Sequence, residues 1–319
     1  MSKRVISLGD LVLDVVMPAR LPVQSGQHQI AAWQQIEPGG AGNFLFAAQH
    51  VGLDVLPVGA IGTDGFGTMI LDLLRAEGID TRYAIALPSS SSSVVLVLTD
   101  PHTTDHVFIG RFGQGPDLPY PNGLDGEIAR AEALYMAGYT LAERRIVSLV
   151  VRAAEHARTK RIPVFLNVGP MMDTVLPDMI WWSLCHTDVV LAADEEIPLI
   201  SEGRTGEMAY QYVLAQGPRV LVVRHGTRDC TVITRQEQIH VPGFDAPVTD
   251  TVGVGDCFAG AFVAGWLGGL SLYETGRLAN AMSAAAVRKT GAGRNAPHAS
   301  DVRSVLKVQG EDLALPLPC

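Results

Sequence analysis

The sequence predicts an α/β fold, with a mostly parallel central sheet covered by helices on both faces and a small separate β-sheet. Three observations predict it. Short apolar runs alternate with helical segments, as at Ala133–Ala137, Pro163–Leu166 and Asp188–Leu191, and such runs read as strands buried on both faces of a parallel sheet. Two extended stretches, about 12–17 and 28–36, and a strand pair, 94–98 with 106–109, stand outside that alternation. Finally, Gly253-Val254-Gly255-Asp256 feeds a run of small and apolar residues ending at Gly265, which reads as a loop entering a buried helix.

Composition agrees. Of 319 residues, 47% are hydrophobic and 18% charged, enough for a large core. A net charge of −9 argues against nucleic acid or an anionic membrane as the main partner. Cys185, Cys230, Cys257 and Cys319 show no Cys-x-x-Cys spacing, so a reducing cytoplasm fits. No signal peptide is visible, and no apolar run approaches 18 residues without a charge.

Val5–Leu8 reads as the first buried strand, ending at Gly9-Asp10. Asp14 stands among apolar neighbours and reads as a surface strand carboxylate. Pro38-Gly39-Gly40-Ala41-Gly42-Asn43 then opens an apolar helix from Phe44 to Val51. Its glycines permit close approach of a ligand, and Asn43 offers both a donor and an acceptor. Val55–Gly59 is the next strand. A helix follows from Gly62-Thr63-Asp64-Gly65-Phe66-Gly67 to Glu77, stopped by Gly78. Ser89–Ser93 reads as a mobile surface link. His102 and His106 have the spacing of a metal pair but sit on a hairpin rather than a helix face, which argues against metal. Arg111, after the second strand of that hairpin, reads as a solvated arginine.

Residues 142–160 form an amphipathic helix, and Asp194-Glu195-Glu196 starts another. Asn167 and Glu196 fall at the carboxyl ends of strands, where ligands sit in such sheets. Arg219–Arg224 is a strand leading to His225-Gly226-Thr227. Residues 229–234 and 238–241 read as antiparallel edge strands, 272–290 as helix, and the tail beyond Lys307 as peripheral. Asp256 in the first turn of its helix favours the dipole. A carboxylate at an anion site would also repel the anion unless it has another task, and taking a proton from a substrate hydroxyl is such a task. Cys257 beside it reads as a small core residue, against a thiolate favoured by the helix start.

Asp250-Thr251-Val252-Gly253-Val254-Gly255-Asp256 resembles the Asp-Thr-x-Gly-Ala-Gly-Asp signature of the ribokinase-like (PfkB) carbohydrate kinase family, with Val254 where alanine is usual. Gly39-Gly40-x-x-Asn43 is similar to the family's substrate loop at the shorter of its spacings, and Gly62-x-Asp64-x-x-Gly67 to a structural motif. The resemblance covers about residues 4–300. It implies a single ribokinase-like domain over residues 1–319, with lid strands from about 11–36 and 93–111 that are often a dimer contact. Asp256 is then the catalytic base, and the backbone of Gly253, Val254 and Gly255 the anion hole. Asp14, Gly39, Gly40 and Asn43 orient a sugar, with Arg111 meeting an acidic one. Gly226, Thr251 and Asn280 lie near ATP, as does the Gly291-Ala292 turn. Glu196 handles magnesium through water, and carbonyls near Asp250 and Val252 permit a monovalent cation such as potassium.

Ala193 and Asp229 depart from the family pattern at positions usually Asn and Gly. The absence of Gly-x-x-x-x-Gly-Lys-Ser/Thr excludes a P-loop kinase, and neither Gly-x-Gly has the third glycine of a dinucleotide fold. The implied reaction is ATP-dependent phosphorylation of a sugar hydroxyl. A nucleoside acceptor is the alternative within the family, which 6% aromatic content does not favour. A non-catalytic relative is the alternative outside it.

Overall fold

The computed structural model describes residues 2–9, 11–103, 105–227, 229–308 and 310; Asp10, Cys319 and the tail beyond Gly310 lie outside them. Among the described residues, thirteen strands form two sheets. The strands are β1 (Arg4–Leu8), β2 (Leu11–Pro18), β3 (Gln35–Gly40), β4 (Asp54–Gly62), β5 (Tyr83–Leu87), β6 (Ser93–Thr99), β7 (His106–Arg111), β8 (Ala133–Ala137), β9 (Val164–Asn167), β10 (Val189–Ala193), β11 (Val220–His225), β12 (Asp229–Ile233) and β13 (Gln238–Val241). Nine make the main sheet in the order β13-β12-β11-β10-β9-β8-β1-β4-β5. It is parallel from β11 to β5, while β12 and β13 run antiparallel at one edge. The small sheet has the order β3-β2-β6-β7.

The continuous apolar runs are explained by two cores, one on each face. Along β10, Val189 and Leu191 enter one core, and Val190 and Ala192 the other. The first core also takes side chains from the helices Ala41–His50, Gly65–Ala76, Val254–Gly268 and Leu272–Ala286. The second takes side chains from Leu124–Arg130, Val147–Thr159, Pro177–Cys185 and Gly206–Gln216. Alternation of side chains along each strand therefore feeds both layers. Cys257 is buried within the first core, and burial pushes its thiol well up, as the reading of a core residue expects.

Three element boundaries are corrected, and one strand is added. The second extended stretch is not 28–36 but β3, whose antiparallel register pairs Leu11 with Gly40 and Val16 with Gln35. Pro38 fits there because β3 is an edge strand, where a missing N–H breaks no ladder. The helix after it begins at Ala41, not Phe44. β5 has no counterpart in the sequence reading. Tyr83–Leu87 is a short run after a turn, and it becomes a strand by pairing with β4 at the sheet edge. The helix expected over 142–160 splits into Tyr139–Ala142 and Val147–Thr159.

The serine run is anchored rather than a mobile link. Ser92 and Ser93 are buried. Ser92 Oγ donates to Asp64 (2.7 Å) and accepts from the Gly62 N–H (3.0 Å), while Ser93 Oγ accepts from the Gly113 N–H (2.9 Å). Arg145, buried in an ion pair with Glu143 (2.7 Å), donates to the Ser91 carbonyl (3.1 Å). That buried pair lies in the break between the two helix segments.

Candidate active site

A cavity of about 410 Å³ lies between the lid sheet and the start of the helix Val254–Gly268. Its walls include Asp14, Gly40, Asn43, Arg111, Gly253 and Asp256, six residues that the sequence singles out from segments up to 242 positions apart (256 − 14). Two helices begin at it. Gly40 precedes Ala41–His50 with φ 53°, and Gly253 precedes Val254–Gly268 with φ 71°. Both turns need the left-handed region that glycine tolerates, and neither helix has a side-chain cap at its N-terminus. Helix starts left in this state favour negative charge. Within the second turn, the Val254 N–H faces the Thr251 carbonyl at 3.4 Å and the Asp256 N–H the Gly253 carbonyl at 3.1 Å.

Asp256 is half-buried, and two amide side chains hold it. Asn43 Nδ2 donates to one carboxylate oxygen at 3.3 Å, and Asn167 Nδ2 to the other at 3.0 Å. Asn43 is fixed in turn, because its Oδ1 accepts from the Gly293 N–H at 3.0 Å. Burial pushes the Asp256 carboxyl up to about 6. The Asn43 bond and the Arg224 charge oppose that shift, and Glu196 adds to it. A carboxyl so placed is ionised at neutral pH yet basic enough to accept a proton.

Asp14 sits on β2 opposite Glu37 of β3, 7% exposed. A Cβ on Gly39 would overlap its carboxylate, so this glycine makes room for Asp14. Arg111 ends β7 on the lid, exposed, with Nη1 donating to Ser91 Oγ at 3.4 Å. Phe108, Phe112, Tyr139 and Met171 supply apolar wall. Burial, with Asp256 and Glu196 nearby, pushes the Tyr139 phenol up, so it stays a hydroxyl donor.

The remaining predicted residues lie elsewhere. Glu196 is buried. Its Oε2 accepts from the Ala193 N–H at 2.8 Å and lies 3.6 Å from Arg224, and burial pushes its carboxyl up. Among the described residues, no three His, Cys, Asp or Glu side chains form a metal cluster. Gly226 lies in the open turn between β11 and β12, with φ 64°. Asn280 is buried, and its amide nitrogen donates to the Val241 and Pro242 carbonyls at 3.0 and 3.1 Å, which holds the end of β13. Asp250 accepts from the Val252 and Gly291 N–H groups at 3.0 and 2.8 Å, tying the glycine loop to the Gly291 turn. Asp64 is structural, as expected: it accepts from Gly67 N–H at 2.9 Å and from Ser92.

Sequence reasoning gave no role to Asn167 or Arg224. Both stand at the ends of strands, β9 and β11, and that position was their one visible signal.

The model of the pfkB family carbohydrate kinases matches residues 2–299. The chain belongs to the pfkB family of carbohydrate kinases. The ATP-dependent ribose-1-phosphate kinase of Halopiger xanaduensis is 27% identical over 306 residues, covering 95% of this chain and 98% of that protein. Among solved structures, a ribokinase II from E. coli in complex with ATP and Mg2+ superposes with a TM-score of 0.81 at 21% identity, covering 97% and 100% of the two chains. A nucleoside kinase from Burkholderia thailandensis in complex with inosine gives 0.77 at 19% identity, again covering 97% and 100%. At these identities the two structures establish a shared ribokinase-like fold. Among the described residues, no helix is long and apolar enough to cross a membrane.

Proposed function

We propose that the protein transfers the γ-phosphate of ATP to a hydroxyl of a sugar or sugar-like small molecule, with Asp256 as general base. The observation that carries this reading is the meeting of Asp256, Asn43 and Asp14 on one cavity at two helix starts without side-chain caps. Asp14 accepts hydrogen bonds from acceptor hydroxyls, and Asn43 and Gly40 orient the ring. Asp256 takes the proton as the hydroxyl attacks. The Gly253–Asp256 turn faces the developing charge, where one preorganised donor contributes on the order of 2.7–4 kcal/mol. Lid closure excludes water and so limits idle hydrolysis.

On the ATP side, Gly226 leaves open space for the nucleotide, and Thr251 and Asn280 hold the surrounding loops. Magnesium in such sites rests largely on substrate phosphates and water. Glu196 is engaged by Ala193 and Arg224, which fits contact through water rather than direct ligation; the ion would neutralise phosphate charge.

A nucleoside acceptor is the second reading, and a specific observation favours it. Aromatic residues are few overall, yet Phe108, Phe112 and Tyr139 converge on this cavity, and an apolar wall suits a planar base. Coupled ADP release against pentoses, hexoses, sugar acids, sugar phosphates and nucleosides tests both readings. Turnover on a sugar class supports the first, and turnover confined to nucleosides supports the second. ATP binding without turnover on any of them leaves a non-catalytic relative.

A further inference from the structure

We propose that Arg224 is a further catalytic residue, a cation built into the end of β11 that contacts the phosphoryl group during transfer. The proposal rests on the kinase reading above. It starts from position. Arg224 Nη1 lies 2.5 Å from where a Cβ on Gly255 would sit, with Cζ and Nη2 at 3.1 Å, so the guanidinium lies directly against the first turn of the helix Val254–Gly268. Alanine at 255 would displace it. The glycine thus admits a side chain, besides any ligand.

The guanidinium also has capacity left over. Its Nε is buried and has no hydrogen-bond partner among the described residues. Glu196 Oε2 is 3.6 Å from Nη2, close enough to hold the charge but longer than a hydrogen bond. Phe258, with its ring centroid 5.9 Å from Cζ, lies on another side. An arginine carries five N–H donors in a planar fork that matches phosphate oxygens. The enclosed Nε is out of a ligand's reach, so the terminal Nη1 and Nη2 groups, which Glu196 approaches only to 3.6 Å, are the donors left for an anion. The helix start beside it favours an anion too, so two independent features point to the same place. Arg224 also opposes the burial shift at Asp256, which places its charge within reach of the reacting centre.

In the transfer, a bond forms from the acceptor oxygen to the γ-phosphorus as the bond from that phosphorus to the β–γ bridging oxygen breaks. The electron pair leaves with ADP, and the acceptor proton goes to Asp256. Arg224 meets the equatorial oxygens and balances the charge that develops on them. A purely structural arginine, present to balance Glu196 and Asp256, would not distinguish a nucleotide with a γ-phosphate from one without.

That difference is the test. Affinities of the wild type, Arg224→Met and Arg224→Lys for ADP and for the β,γ-imido analogue of ATP are measured by calorimetry, with folding checked by Tm. kcat and KM are then measured on whichever acceptor the wild type phosphorylates. Arg224→Met is expected to weaken the imido analogue tenfold or more relative to ADP. It should also lower kcat about 10²–10³-fold, the range for loss of one preorganised donor, with acceptor KM within threefold. Arg224→Lys should recover part of both losses, and it carries the test alone if the methionine variant does not fold. Equal effects on both nucleotides, or unchanged kcat, would overturn the proposal while leaving the kinase reading standing. Conversely, the same loss of analogue selectivity in Arg224→Met, alongside a wild type that phosphorylates no acceptor, would uphold the contact and sink the kinase reading. A wild type that binds neither nucleotide ends both.

Discussion

Two carboxylates, Asp64 and Asp256, stand in similar local sequence: each lies beside glycines at the start of a helix. Their surroundings are opposite. Asp64 caps its helix and accepts from the Gly67 N–H, the Ser92 N–H and the Ser92 hydroxyl. Burial would raise its pKa, but those bonds outweigh it and hold the carboxyl below its usual range. Asp256 lies inside the first turn rather than at the cap, and its oxygens meet only the long-range amides of Asn43 and Asn167 among the side-chain bonds of the described residues. There burial wins, and the carboxyl rises to about 6. A glycine-rich helix start therefore does not make a base. The number of backbone donors engaged by the carboxylate decides whether it is a strut or a proton acceptor.

Substitutions at the two positions should separate along that line. Asp256→Asn is expected to lower kcat about 10²–10⁴-fold with Tm shifted by only a few degrees, measured by coupled ADP release and thermal unfolding. Asp14→Asn, on the opposite wall, should act through the acceptor. The loss of charge-assisted hydrogen bonds, each about 1.5–3 kcal/mol, lowers kcat/KM about 10–100-fold, mostly through KM.

Asp64→Ala should show the reverse pattern from Asp256. Stability falls by about 1–2 kcal/mol in denaturant unfolding, while kcat of the folded fraction stays within about twofold of the wild type, inside the ±0.5 kcal/mol range of a change away from the chemistry. The pH dependence follows from the sign. Asp64 has a depressed folded pKa, so its contribution is present above the unfolded value of about 3.9 and is lost as pH falls through the folded value. For an uncharged acceptor the smallest effect is expected at Arg111. It is exposed, so Arg111→Ala costs less than about tenfold in kcat/KM, and only for an acceptor carrying carboxylate or phosphate.

The same contrast marks how far the sequence could be read. Asp256, Gly253, Gly40 and Asn43 were legible because each lies in a short ordered motif, and Asp14 because it is a lone carboxylate among apolar residues soon after the first strand. The parallel sheet was legible because its strands are apolar on both faces. What escaped was set by distant pairing. Tyr83–Leu87 is a strand because β4 offers an edge. The serine run is rigid because Asp64 and Arg145 reach it from 28 and 54 positions away. Asn167 reaches Asp256 across 89 residues, and Arg224 lies on Gly255 from another strand. No local pattern encodes such contacts, although the position of both residues at strand ends hinted at them.

The most direct test of the central claim is the pH dependence of kcat/KM for the wild type, run from pH 4.5 to 8.5 on its acceptor. A base must be unprotonated to act, so a carboxyl raised by burial gives an acid limb. The rate should be level above pH 7 and fall tenfold per unit below about 6. A rate that stays level down to pH 4.5 would return Asp256 to the ordinary carboxylate range, and it would contradict the claim that its burial prepares it to accept the proton.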